Sequence, residues 1–321
     1  MKDVRIVFMG TPEIAVESLK RLLAEGKNIV SVVTTPDKPA GRGLQLKESE
    51  VKKFAVANKL PLLQPENFTE ESFVKNISDL SPDIIIVVAF RKISDDIIKI
   101  PTLGAFNLHA SLLPQYRGAA PINWAIINGE TETGLTTFFL NNKIDTGNII
   151  LQRKVPILPE YNASALYDVM KSTGAELVIE TVNTIIHGDY QTFEQNNLEI
   201  PANNLKKAPK IFKEHCKIDW HNKTVAIHNL IRGLSYIPGA YSELKSPDGK
   251  IFLLKILQTE YAVNTGIQEP GTIETDNSRY LRIYTSDGYL NVKELQLSGK
   301  KIMKIEEFLR GFKMNNRWMT A

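Results

Sequence analysis

One cysteine, Cys216, stands among the 321 residues, which excludes an intramolecular disulfide and a zinc cage built on cysteines. The remaining soft ligands do not compensate. His187, His215, His221 and His228 are scattered without metal-ligand spacing, so no metal is expected. Long apolar runs are also missing. The longest, residues 84–90, falls far short of the ~18 residues a membrane span requires. Arg5 interrupts the first apolar stretch and no small-residue cleavage pattern follows, so no signal peptide is expected and the setting reads as cytoplasmic and reducing. No P-loop occurs. The first strand is followed by Gly10-Thr11-Pro12-Glu13-Ile14-Ala15, which lacks the glycine spacing of a dinucleotide fingerprint. Nicotinamide and nucleotide-hydrolase chemistries lose their best support with it.

What is present is ordinary globular material, with 43% hydrophobic and 23% charged residues, enough to bury a real core in one large or two ordinary domains. The net charge of +3 is unevenly placed. Residues 1–208 carry 22 Lys and Arg against 24 Asp and Glu, whereas residues 209–321 carry 17 against 12. A mildly basic final third hints at a polyanionic partner, although a solvated lysine-rich face gives the same excess.

The first half alternates strand and helix. Residues 5–9 form an apolar strand, Thr11 and Pro12 suit a helix start, and Ala15, Val16, Leu19, Leu22 and Leu23 recur at helical spacing until Gly26. Residues 29–35 are a β-branched strand and Phe73, Val74, Ile77 and Leu80 mark another helix. Residues 84–90 have the continuous apolar character of a central parallel strand. Strands follow at 105–109, 134–140 and 149–155, with a helix from Pro121 to Gly129 and a long one over 163–186. This predicts an open, Rossmann-like, mostly parallel α/β sheet over 1–188. Polar residues such as Gln195-Asn196-Asn197 make 189–208 read as a linker. Residues 209–321 carry a short helix over 225–234, five short strands and a closing helix over 304–312, with Asp248-Gly249 and Asp287-Gly288 as hairpin signals. A small OB-like β-barrel is the predicted second domain.

Chemistry concentrates in residues 107–121, Asn-Leu-His-Ala-Ser-Leu-Leu-Pro-Gln-Tyr-Arg-Gly-Ala-Ala-Pro. Asn107 and His109 are two apart at a strand's end, so their side chains share one side. In open α/β sheets, ligands bind at the strands' carboxyl ends. An amide beside an imidazole suits acyl-type transfer, one stabilising an oxyanion and the other moving a proton. Asp145, in the loop Ile144-Asp145-Thr146-Gly147, is the candidate carboxylate to orient the imidazole. A lone histidine at a strand end is more often structural; the added amide and aspartate reverse that balance.

The Asn-x-His followed by Ser-Leu-Leu-Pro-x-Tyr-Arg-Gly, with Gly129-Glu130-Thr131-Glu132-Thr133-Gly134 and Asp145-Thr146-Gly147, resembles the 10-formyltetrahydrofolate-dependent formyltransferases. The likeness covers essentially the whole chain. It implies that Asn107, His109 and Asp145 are the catalytic trio, that Ser111, Leu112, Leu113 and Pro114 line the folate site, and that Val88, Ala89 and Phe90 run beside the pterin. The co-substrate implied is 10-formyltetrahydrofolate, with no metal. The Gly-Thr-Pro after the first strand, the loop Pro36-Asp37-Lys38-Pro39-Ala40-Gly41-Arg42-Gly43 and the Lys217-Ile218-Asp219-Trp220 opening of the second domain resemble the members whose acceptor is methionyl initiator tRNA, for translation initiation. On that likeness the loop presents Arg42 and Lys38 to tRNA, the barrel is the tRNA-binding domain and the protein is a monomer. Arginine suits such a contact because it stacks on bases and binds phosphate bidentately. Two other readings remain: the same chemistry with an amino-sugar nucleotide as acceptor, and a non-enzymatic RNA-binding protein on the same fold.

Overall fold

The computed structural model describes residues 3–40, 45–197, 201–265, 268–314 and 318–320. Its chain divides into two compact units. The first comprises Met1–Gly118, Glu132–Pro156 and Tyr167–Lys207, and the second Ala119–Thr131, Ile157–Leu166 and Ala208–Ala321.

The first unit is built on seven strands, β1 (Arg5–Gly10), β2 (Asn28–Val33), β3 (Leu62–Leu63), β4 (Ile84–Val88), β5 (Gly104–His109), β6 (Glu132–Phe139) and β7 (Ile149–Pro156). They lie in the order β7-β6-β5-β4-β1-β2-β3. The five strands from β5 to β3 run parallel, while β6 is antiparallel to β5 and β7 to β6. The predicted mostly parallel α/β sheet is therefore present. All five residues of β4 are buried, as a strand covered on both faces must be. The chain moves outward from β1 to β3 and then returns to β4 on the other side of β1. That reversal makes β1 and β4 a topological switch point, the place where open α/β sheets bind ligands at the strands' carboxyl ends. Gly10 ends β1 there because a Cβ would sit 3.1 Å from the Val88 carbonyl and 2.5 Å from the Ala15 Cβ.

Several local readings shift. Pro12, rather than Thr11, occupies the capping position and the helix begins at Glu13. The Ile14 amide donates to the Tyr167 hydroxyl at 2.9 Å instead of to a local cap. The helices Glu50–Ala57 and Asp95–Ile98 are additions, too short for a clear apolar period; Ser49 caps the first by accepting from the Lys52 amide. Lys38–Ala40 pairs antiparallel with Gln45–Lys47 as a two-stranded ribbon where the sequence reads as open loop. Pro39 is tolerated because both strands of such a ribbon are edges. Its base is fixed by Lys52, whose ammonium donates to Asp37 at 2.5 Å and holds that carboxyl below its ordinary range.

In the second unit the strands run in the order Ile273–Thr275, Leu281–Tyr284, Gly288–Leu297, Ile251–Val263, Ala240–Lys245 and Met319–Thr320. A bridge from Thr272 to Met319, with the Thr320 amide donating to the Gly271 carbonyl at 3.1 Å, joins the two ends. The predicted barrel is thus nearly closed, which removes the exposed edges of an open sheet. Ala240–Lys245 alternates buried residues with more accessible ones, as a strand with one wetter face does. Leu254, Ile256, Ile283, Leu290, Val292 and Leu295 form the heart of its core. Asp287 of the second Asp-Gly joint also caps the helix Thr224–Leu234, its carboxylate accepting from the Thr224 amide at 2.8 Å.

Candidate active site

The site grows from the carboxyl end of β5. Asn107 pairs across to Phe138 of β6 and His109 to Thr136, so the two side chains lie two residues apart on one face of the strand. Asn107 is half-buried, and among the described residues its amide has no hydrogen-bond partner. His109 is 6% exposed. Its Nε2 lies 2.9 Å from the Tyr116 carbonyl oxygen and its Nδ1 lies 3.9 Å from Asp145 Oδ2. The Nε2 contact is within hydrogen-bond reach, and the Nδ1 side of the ring faces the carboxylate at ion-pair distance.

Each of those acceptors is held by the loop that carries it. Tyr116 stands at φ +58 and Asp145 at φ +53, conformations an L-residue adopts at a cost. The Tyr116 amide donates to the Lys206 carbonyl at 2.7 Å. The Gly118 amide donates to Asp145 Oδ2 at 3.0 Å and fixes the carboxylate. Asn141 organises the loop before Asp145, its Oδ1 accepting from the Lys143 amide and the Thr146 hydroxyl, each at 3.0 Å. Gly147 follows because a Cβ there would lie 1.6 Å from the Phe139 carbonyl.

The Ser111–Pro114 stretch is set by a buried threonine. Thr136 Oγ1 donates to the Ser111 carbonyl at 2.6 Å, accepts from the Leu113 amide at 3.1 Å and accepts from Gln152 Nε2 at 2.9 Å. Ser111 turns its own hydroxyl inward to the Gln115 carbonyl at 2.6 Å. Ser111, Leu113 and Pro114 are buried and Leu112 is half-buried. Gln152 and Thr136 sit on strands well away in sequence, and nothing in the 107–121 pattern announces them.

At the end of β4, Val88 is 1% exposed while Ala89 is exposed at φ +46. The ladder to β1 and β5 stops at Val88, so the backbone of Ala89 and Phe90 takes no part in it. Phe90 packs edge-on against Phe68 at 5.1 Å, and the Arg91 guanidinium lies 5.6 Å from the centre of that same Phe68 ring. Lys38 is exposed on the ribbon, and Arg42 lies outside the described residues.

Sequence reasoning missed Gln195. The polar segment it belongs to reads as a linker, yet Gln195 is only 4% exposed and bonds to both Arg117 and the Asp145 loop. Its one signal is the run of amides at 195–197, which is indistinguishable from loop composition. Arg117 is partly buried, which lowers its guanidinium pKa, and the neighbouring Asp145 charge opposes that shift.

Comparison with known proteins identifies the family of the chain. A formyl transferase family model matches residues 4–182, and a formyl transferase C-terminal domain model matches residues 210–313. The chain is 49% identical over 311 residues to a methionyl-tRNA formyltransferase of Bacteroides fragilis, covering 97% of this chain and 96% of that one. It is 45% identical over 316 residues to the methionyl-tRNA formyltransferase of Flavobacterium johnsoniae, covering 97% of each. Among solved structures, WlaRD, a sugar 3N-formyl transferase crystallised with dTDP and 5-N-formyl-THF, superposes at a TM-score of 0.65. Its identity is 24%, over 94% of this chain and 100% of that one, and the likeness is one of fold. With both domain models matched and close to half its residues shared with methionyl-tRNA formyltransferases along almost its whole length, the chain belongs to the formyl transferase family, in its methionyl-tRNA branch.

Proposed function

We propose that Asn107, His109 and Asp145 carry the chemistry by which this enzyme moves the formyl group of 10-formyltetrahydrofolate to the α-amine of methionyl initiator tRNA for translation initiation. The observation that supports these roles best is the His109 ring, held between the Tyr116 carbonyl and the Asp145 carboxylate beside the unpartnered Asn107 amide. The amine forms a bond to the formyl carbon, and the carbon's bond to the folate nitrogen breaks. The Asn107 amide and the protonated His109 stabilise the oxygen as it gains negative charge. One proton leaves the amine and one reaches the folate nitrogen; His109, backed by Asp145, is the relay. Alignment of the two substrates supplies a large further share of the rate.

The backbone of Ser111, Leu112, Leu113 and Pro114 lines the folate site, and Val88, Ala89 and Phe90 border the pterin. Residues 209–321 form the tRNA-binding domain, with Lys38 and Arg42 of the 36–43 segment contacting the RNA. The protein works as a monomer in the cytoplasm; among the described residues, no helix is long and apolar enough to cross a membrane. The deciding assay is single-turnover formyl transfer with methionyl initiator tRNA in one tube and a 4-amino-4-deoxy sugar nucleotide in another. Formyl-methionyl-tRNA as the only product is expected. Formylation of the sugar alone would overturn the acceptor, and product in neither tube would overturn the roles of the trio.

A further inference from the structure

Gln195 is a neutral side chain buried in a polar segment, and every hydrogen-bonding position of its amide is filled. Its Oε1 accepts from Arg117 Nε at 3.0 Å and from Arg117 Nη2 at 2.6 Å. Its Nε2 donates to the Asp145 carbonyl at 3.1 Å and to the Gly147 carbonyl at 2.8 Å. Two oxygen lone pairs and two amide hydrogens are all an amide side chain has. One residue therefore ties the short strand Arg117–Gly118 to the Asp145–Gly147 loop. The Gly118 amide, next in sequence to Arg117, is the group that holds Asp145 Oδ2.

From this closed set of bonds we infer that Gln195 is a positioning residue for formyl transfer: it fixes Asp145 against His109 by clamping the two segments that meet at that carboxylate. The inference rests on the proposed role of Asp145. Two further observations support it. Asp145 sits at φ +53, a conformation that carries a modest backbone cost even for aspartate, and the bonds from Gln195 to the loop carbonyls offset part of it. Arg117 is partly buried and close enough to Asp145 for their charges to interact, yet its orienting partner is an amide oxygen and not a carboxylate. A neutral acceptor aims the guanidinium without cancelling its charge, which stays available to Asp145. A glutamate at 195 would reverse this. It would keep the fork with Arg117, remove both donors to the loop carbonyls and add a second negative charge beside Asp145.

The test compares Gln195→Glu, Gln195→Met and Asp145→Asn, alone and combined, in single-turnover transfer to methionyl initiator tRNA, with a thermal melt of each protein. Gln195→Glu is nearly isosteric and keeps its Arg117 partner, so it decides the matter if Gln195→Met does not fold. Expected for Gln195→Glu is a fall of about 10- to 100-fold in the transfer rate, with the KM for tRNA within threefold and a displaced pH profile. In an Asp145→Asn background the same change should add less than threefold, because the group it positions is already lost. A folded Gln195→Glu enzyme with wild-type rate and pH profile, beside an inactive Asp145→Asn, would overturn this inference and leave the site reading standing. An additive effect in the double variant would overturn it too. Full activity of Asp145→Asn would instead remove the reading on which it rests.

Discussion

Two histidines, one in each unit, show how differently the same side chain is used. His109 closes β5 with an acceptor at either ring nitrogen and a free amide two residues away. His228, on the helix Thr224–Leu234, bonds through Nδ1 to the Thr259 hydroxyl at 2.9 Å and packs against the Tyr261 ring at 4.8 Å. Its burial, aided by the neighbouring Arg232 charge, pushes its pKa down to about 4, so it is neutral in the fold at pH 7. One ring lies between a carbonyl and a carboxylate, and the other lies among groups that keep it neutral. Left-handed backbone at Ala89, Tyr116 and Asp145, together with the buried polar bonds of Thr136 and Gln195, gathers at the carboxyl edge of the parallel sheet. The barrel core around Leu254 and Val292 is apolar. Side-chain burial alone does not mark a reactive histidine; its partners do.

The comparison breaks most sharply at the first ring. Replacing His109 or Asn107 by alanine should slow single-turnover transfer by about 10³-fold, with circular dichroism and melting temperature close to wild type. A folded variant of either kind retaining near-normal turnover would remove the chemical difference between the two histidines.

Next comes the support beneath the site. Thr136→Val keeps the shape but strips the hydroxyl that serves the Ser111 carbonyl and the Leu113 amide. A loss of about 3 kcal/mol in urea unfolding is expected, with a raised KM for the folate. An unchanged urea midpoint would mean water takes over those bonds.

The second histidine is read through pH. Because its folded-state pKa lies below the unfolded 6.5, His228 has no effect above about pH 7, and stability falls as the unfolded chain takes up a proton the fold refuses. Between pH 7 and pH 5 this group should cost about 2 kcal/mol, and no further loss is expected from it below about pH 4. His228→Gln should flatten the pH dependence of the urea midpoint over that window by a matching amount. Parallel pH curves for the two proteins would contradict the neutral assignment.

The smallest effect belongs to the ribbon. Lys38→Ala should weaken tRNA binding a few-fold and lower the slope of log affinity against log salt by about one. An unaltered slope would place the RNA elsewhere.

Much of the fold and of the site was legible in the chain itself. The continuous apolar run at Ile84–Val88 and the Asp-Gly joints each express a burial or a turn preference acting over a few neighbouring residues. Asn107 and His109 share a side because strand geometry alone places residues two apart together. Tertiary structure decided the rest. The Tyr116 carbonyl meets His109 only because its backbone is left-handed, and Gly118 reaches Asp145 across 27 residues. Gln195 reads as linker because its composition is polar, but its burial is set by two segments that the sheet brings together from 48 to 78 residues away. Periodicity reports what a segment must do with water. Which buried amide meets which loop depends on chain closure in three dimensions, and no local pattern encodes it.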